Sequence, residues 1–362
     1  MSGRSDGEVI IRRDGRAGRI TLNRPKALNA LTHGMVCAIW DSLQTWKTDA
    51  NVELVILDGA GERGLCAGGD VRAMYESASS GSGLARKFWS DEYHLNALIG
   101  SYPKPFVALM DGIVMGGGIG LAGHASHRIV TERSQLAMPE TGIGLIPDVG
   151  GTWLLARAPG AVGVYLGLIG ERMRGAGTIF AGFADSYVAY SRLDELTAAL
   201  AQAGGAHVTA VVDRFATAPP TSDLAARAGE IDRIFQFDRV EDIRDALAVS
   251  QSEWAVRTLD ELNRRSPLAL KLTLAAIRAA RQLPSLAAAL VAEYRLTVRL
   301  FEHGEFIEGV RALLVDKDKS PKWRPSSLDD VTPDIVARFM ARLPDGEELE
   351  ISASQWICLG PP

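Results

Sequence analysis

Phe106-Val107-Ala108-Leu109-Met110-Asp111-Gly112-Ile113-Val114-Met115-Gly116-Gly117-Gly118-Ile119-Gly120-Leu121-Ala122 is the longest apolar stretch of the chain. Asp111 and the glycines break it, so it falls short of the roughly 20 apolar residues of a membrane span and reads as buried strand and turn. A similar arrangement lies upstream, where Val52 to Asp58 runs into Gly59-Ala60-Gly61 and then Cys66-Ala67-Gly68-Gly69-Asp70. Glycine lets backbone approach a ligand closely. Two such turns at strand ends can each aim one N–H at a developing oxyanion, an effect worth several kcal/mol in acyl transfer.

Outward from these turns, strands and helices alternate. Val9 to Arg12 and Arg19 to Leu22 pair around Asp14-Gly15, Thr32 to Trp46 has helical spacing, and a helix over Leu84 to Ile99 separates the two buried strands. Arg128 to Thr131 supplies another strand. This alternation predicts an α/β core with a largely parallel sheet and ligand chemistry at the strand ends. Beyond Asp148 no strand is evident. Arg192 to Ala203, Val240 to Leu262, Leu268 to Arg281, Leu286 to Glu302 and Phe306 to Val315 read as amphipathic helices. The expected organisation is a core over 1–181, a helical part over 182–315 and a loop-rich tail over 316–362.

The charge balance, 39 basic against 44 acidic residues, carries no basic stripe, so no nucleic-acid partner is expected. No segment reads as a secretory signal or membrane anchor, and Cys37, Cys66 and Cys358 form neither a disulfide framework nor a metal-ligand pattern. A reducing cytoplasm, no membrane partner and no metal are the expectations. Gly118-Ile119-Gly120-Leu121-Ala122-Gly123 satisfies a dinucleotide fingerprint but sits late in the chain, and its acidic partner, Glu132, comes too early. Ser80-Gly81-Ser82-Gly83 fails as a nucleophile elbow, and Cys66 has no evident histidine partner.

Pro25-Lys26-Ala27-Leu28-Asn29-Ala30-Leu31, Cys66-Ala67-Gly68-Gly69-Asp70 and Met115-Gly116-Gly117-Gly118 together resemble the crotonase (enoyl-CoA hydratase) superfamily. That resemblance implies a spiral of ββα units followed here by a helical C-terminal part. It also implies coenzyme A, as part of the substrate and not as a cofactor, bound near Lys26, Ala27 and Leu28 with Ala67 and Asp70 close by, and an oxyanion hole formed by the amides of Gly69 and Gly117. The run Met138 to Gly151, MPETGIGLIPDVGG, is similar to the 3-hydroxyisobutyryl-CoA hydrolases, as are Glu92-Tyr93, Ser266-Pro267 with Lys271, Glu293-Tyr294-Arg295 and the run from Glu308-Gly309-Val310-Arg311-Ala312 to Asp316-Lys317-Asp318. Hydratases of the superfamily carry a second catalytic Glu where this chain has Gly120, so the resemblance implies hydrolysis of a short 3-hydroxyacyl thioester, with valine catabolism as the setting. Glu140 is then the base or nucleophile and Asp148 its acid-base partner. Glu92 is placed by the same resemblance at the substrate 3-hydroxyl. Hydratase or isomerase chemistry on another acyl-CoA, and non-catalytic acyl-CoA binding, are the alternatives. Contact of the basic cluster Lys317, Lys319, Lys322 and Arg324 with coenzyme A, and assembly into a homo-oligomer, are left open.

Overall fold

A computed structural model describes residues 7–351; Cys358 and the last residues of the tail lie outside them. Among the described residues, nine strands form two sheets: β1 (Val9–Asp14), β2 (Ala17–Leu22), β3 (Leu54–Gly59), β4 (Phe106–Leu109), β5 (Ile113–Met115), β6 (His127–Val130), β7 (Gln135–Ala137), β8 (Met173–Arg174) and β9 (Ser186–Tyr187). The larger sheet has the order β1-β2-β3-β4-β6-β9, and every pair in it after the β1–β2 hairpin is parallel. The smaller sheet, β5-β7-β8, is linked to the Cys66 turn by a bridge to Val114. Each apolar strand is followed at its C-terminal end by a turn, so Asp58 and Leu109 lead to the two glycine segments within one layer of the molecule.

The helices that position the site follow from local sequence. Helix α1 (His33–Thr48) is capped by the Thr32 hydroxyl, which accepts from the Met35 N–H, and buries Met35, Ile39, Trp40 and Leu43. Helix α2 (Val71–Ser80) starts on Asp70, whose carboxylate accepts from the Ala73 N–H. Helix α3 (Leu84–Gly100) is buried along Phe88, Trp89, Glu92, Tyr93, Leu95 and Asn96, and packs on both α1 and the C-terminal helix Leu286–His303. Helix α4 (Gly117–Ala122) begins inside the triple glycine.

Three sequence expectations are corrected. Two strands, β8 and β9, lie beyond Asp148, each too short to show a period-2 pattern. The helix expected over Val240 to Leu262 is two, Val240–Ser250 and Glu253–Arg264, because Gln251 takes φ +52° and Ser252 caps the second through the Ala255 N–H. Within the tail, Pro333–Met340 is helical and capped by Thr332.

Candidate active site

The two glycine turns lie against each other. The Gly68 carbonyl accepts from Leu31 N–H, Leu28 carbonyl from Ala67 N–H, and Cys66 carbonyl from Met115 N–H, so the Pro25–Leu31 segment, the Cys66–Asp70 turn and β5 form one assembly. A Cβ on Gly117 would stand 3.3 Å from the Gly69 nitrogen. Among the described residues no acceptor is seen for the amide N–H of Gly69 or of Gly117. Gly117 is the first residue of α4, where N–H groups point away from the helix without intrahelical partners.

Carboxylates flank this turn on two sides. Glu92 Oε1 approaches Gly117 so closely that a Cβ there would meet it at 2.5 Å, so any larger residue would push the Glu92 carboxylate aside. Glu140 Oε1 lies 3.0 Å from where a Gly116 Cβ would stand. Glu140 opens a short 3-10 turn after Pro139, which places its side chain inside instead of in solvent. It is buried, and its Oε2 has no hydrogen-bond partner among the described residues; the same holds for Glu92 Oε1. Burial, then the charge of Asp148, pushes the Glu140 carboxyl well above the usual carboxylate range, and the same two causes raise Glu92. Asp148 is pushed up to about 6 by burial, with the Tyr93 hydroxyl, donating at 2.7 Å, working the other way.

Asp148 rests on a strained turn. The next residue, Val149, is β-branched with φ +54°, a conformation that persists only when its surroundings impose it. His124 Nε2 contacts the Val149 carbonyl at 2.8 Å; burial lowers the His124 pKa to about 4, so the neutral imidazole donates that bond. On the other side, Glu293 accepts from the Gly150 N–H at 2.7 Å, the Thr152 N–H at 2.9 Å and the Thr152 hydroxyl.

Gly120 is packed out. A Cβ there would sit 2.7 Å from Val149 Cβ and 2.9 Å from Asn96 Nδ2, so these side chains fill the volume that a longer residue at 120 would need. Asn96, fully buried, has no hydrogen-bond partner among the described residues for either amide atom. It stands one helical turn beyond Glu92, on the same face of α3.

Gly69, Gly117, Glu92, Glu140 and Asp148 are thus brought together. Lys26 and Ala27 are exposed on a 3-10 turn held by Arg63, which donates to the Pro25 and Lys26 carbonyls at 2.6 and 2.9 Å. Leu28 and Ala67 meet through their backbones. Asp70 has two structural duties, the α2 cap and a 3.1 Å ion pair with Arg24. Cys66 is a buried free thiol raised to about 12 by burial, so it is protonated and unsuited to attack. Trp323 donates its indole N–H to the Arg264 carbonyl and the Lys322 N–H bonds to Glu308, which anchors the basic segment on the helical part. A cavity of about 730 Å³ lined by Tyr165, Arg174, Arg227 and Trp254 contains none of the site residues. Sequence reading gave no role to Asn96 and Thr297, polar positions inside helices, or to His124, which lies in the turn after α4 and drew notice only as an unlikely metal ligand.

Residues 17–340 match the enoyl-CoA hydratase/isomerase family. The chain belongs to that family. Within it, curated relatives are named mitochondrial 3-hydroxyisobutyryl-CoA hydrolase: one from Danio rerio is 40% identical over 97% of this chain and 94% of its own length, and one from Homo sapiens 39% identical over 90% and 86%. Two solved structures of the family superpose closely. A carnitinyl-CoA dehydratase from Mycobacterium thermoresistibile gives a TM-score of 0.91 at 46% identity, covering 96% of this chain and all of that one. An enoyl-CoA hydratase from Rhodobacter sphaeroides 2.4.1 gives 0.89 at 44%, covering 95% and 100%. The family and the crotonase fold are therefore shown, whereas the names of these relatives divide between water addition and thioester hydrolysis.

Proposed function

We propose that this family member hydrolyses a short 3-hydroxyacyl-CoA thioester, 3-hydroxyisobutyryl-CoA first among them. The observation that carries the reading is Gly120. Hydration calls for a second carboxylate there, and Val149 and Asn96 occupy its space, while Glu140 and Asp148 form a buried pair beside the glycine turn. The names of the curated relatives support the same reaction.

In this reading the thioester oxygen lies between the Gly69 and Gly117 amides, each donor contributing about 3 kcal/mol to the transition state. Water adds to the carbonyl carbon and gives a proton to Glu140. The C–S bond then breaks and coenzyme A leaves as the thiol with that proton, so acid and thiol are the only products. Direct attack by Glu140 through a mixed anhydride consumes the same water and gives the same products. Asp148 keeps a charge beside Glu140 and so strengthens it as a base. Glu92 Oε1 and the Asn96 amide, which have no hydrogen-bond partner among the described residues, provide an acceptor and a donor for the 3-hydroxyl, and Lys26 to Leu28 with Ala67 line the coenzyme A side. Valine breakdown is the corresponding setting. Among the described residues no helix is long and apolar enough to cross a membrane; we keep the cytoplasmic placement as a proposal, against which the relatives' mitochondrial names stand. Replacing Glu140 with Gln tests the assignment: thiol release should fall at least about a thousandfold while substrate still binds, and retained turnover would contradict it.

A further inference from the structure

Asp148 is held from two directions by one helix of the C-terminal part. Glu293 and Thr297 stand four residues apart on Leu286–His303, hence on one face. Glu293 binds the backbone of the turn that follows Asp148, and Thr297 Oγ1 lies 3.0 Å from the Tyr93 hydroxyl, which donates to Asp148 Oδ2 at 2.7 Å. Tyr93 and Thr297 are fully buried, so water does not substitute for either hydroxyl.

The groups around Asp148 are otherwise unfavourable to its charge. Glu92 of α3, Glu140 of the 3-10 turn and Glu293 are all acidic. His124, which binds the Val149 carbonyl, is neutral. The Tyr93 hydroxyl is the one side-chain donor to the Asp148 carboxylate among the described residues.

We infer that Tyr93, backed by Thr297, is a positioning residue that fixes the Asp148 carboxylate within reach of Glu140 and acts on the rate only through it. The inference rests on the proposed role of Asp148 as partner of Glu140. It assigns the C-terminal helices a part in the chemistry besides cover for the core.

The test is Tyr93→Phe, which keeps the ring and removes the hydroxyl, read by kinetics and by thermal unfolding of the full chain. A bond to an ionised carboxylate is roughly twice as strong as a neutral one. The melting-temperature deficit of Y93F relative to wild type should therefore grow as pH rises from 5 to 8 through the Asp148 titration near 6. In the Asp148→Asn background the deficit should be smaller and flat with pH. With 3-hydroxyisobutyryl-CoA, kcat should fall about tenfold or more while KM stays within about threefold. A Y93F deficit that does not change with pH while Asp148 is intact, an unchanged kcat, or a rise in KM alone would overturn the inference. A wild-type protein inert toward the thioester, with the pH-dependent deficit intact, would instead discard the proposed function and leave the Tyr93–Asp148 coupling standing.

Discussion

At the scale of single residues, the site concentrates carboxyl groups where water is excluded. Burial raises Glu92 and Glu140 well above the usual range, Asp148 to about 6 and Glu293 to about 8, the last in spite of three donors aimed at it. An unfolded chain releases these protons near pH 4, so the folded state holds protons that the unfolded state has lost. Stability is therefore fully present below about pH 4 as far as these groups are concerned, and is lost as pH rises through the folded values. Melting scans of wild type should show a decline between pH 5 and pH 9. Glu140→Gln removes one of these charges without changing shape, so it should melt higher than wild type, with a larger gap at pH 8 than at pH 5. A gap that shrinks with pH would show that Glu140 is not the strained group. Activity has the opposite slope, since a base or nucleophile must be ionised: kcat/KM should climb with pH across the range in which stability falls.

Much of this residue-level picture was legible. Glu140, Asp148 and the glycines carry recognisable spacing, and Gly120 marked the missing acid. Tyr93 and Thr297 were not legible as a unit, because Tyr93 meets Asp148 across 55 residues of sequence and Thr297 across 204. Asn96 looks from its position like any other residue of α3. Its meaning comes from the orphaned amide and the packed-out Gly120 beside it.

At the scale of elements, α4 and the Asp148–Thr152 turn are fitted to each other. Restoring a hydratase-like side chain by Gly120→Glu should not confer hydration. Its Cβ would already clash with Val149 and Asn96, so we expect a loss of several kcal/mol in unfolding free energy, as for overpacked cores with a buried charge; water addition to crotonyl-CoA by a stably folded G120E variant would refute the packing argument. Periodicity located α1, α3 and Leu286–His303 to within a residue or two. It failed where a single residue overrode it: Gln251 breaks a sustained apolar pattern by taking a left-handed conformation, and the Ser252-Glu253 cap that follows is the local cue. Ser252→Ala should cost about 1 kcal/mol in denaturant unfolding, since the hydroxyl caps Ala255 and also donates to Glu230 at 2.7 Å.

At the scale of the whole molecule, the helical C-terminal part is packed into the core through Leu286–His303, which contacts α3 and buries Leu290, Tyr294, Leu296 and Leu300. Glu293 supplies three hydrogen bonds to the core from that helix. Glu293→Leu would leave the Gly150 and Thr152 donors unpaired in an apolar setting, at about 1–3 kcal/mol each, so a substantial fall in melting temperature is expected together with a fall in kcat. A stable, fully active E293L variant would show that the two parts are energetically independent.

The central claim is the reaction itself. Incubating the protein separately with 3-hydroxyisobutyryl-CoA and with crotonyl-CoA, while following free thiol and the enoyl chromophore, measures hydrolysis and hydration side by side. Thiol release from the first and an undiminished chromophore in the second is the predicted result. Loss of the chromophore without thiol release from either substrate would contradict it.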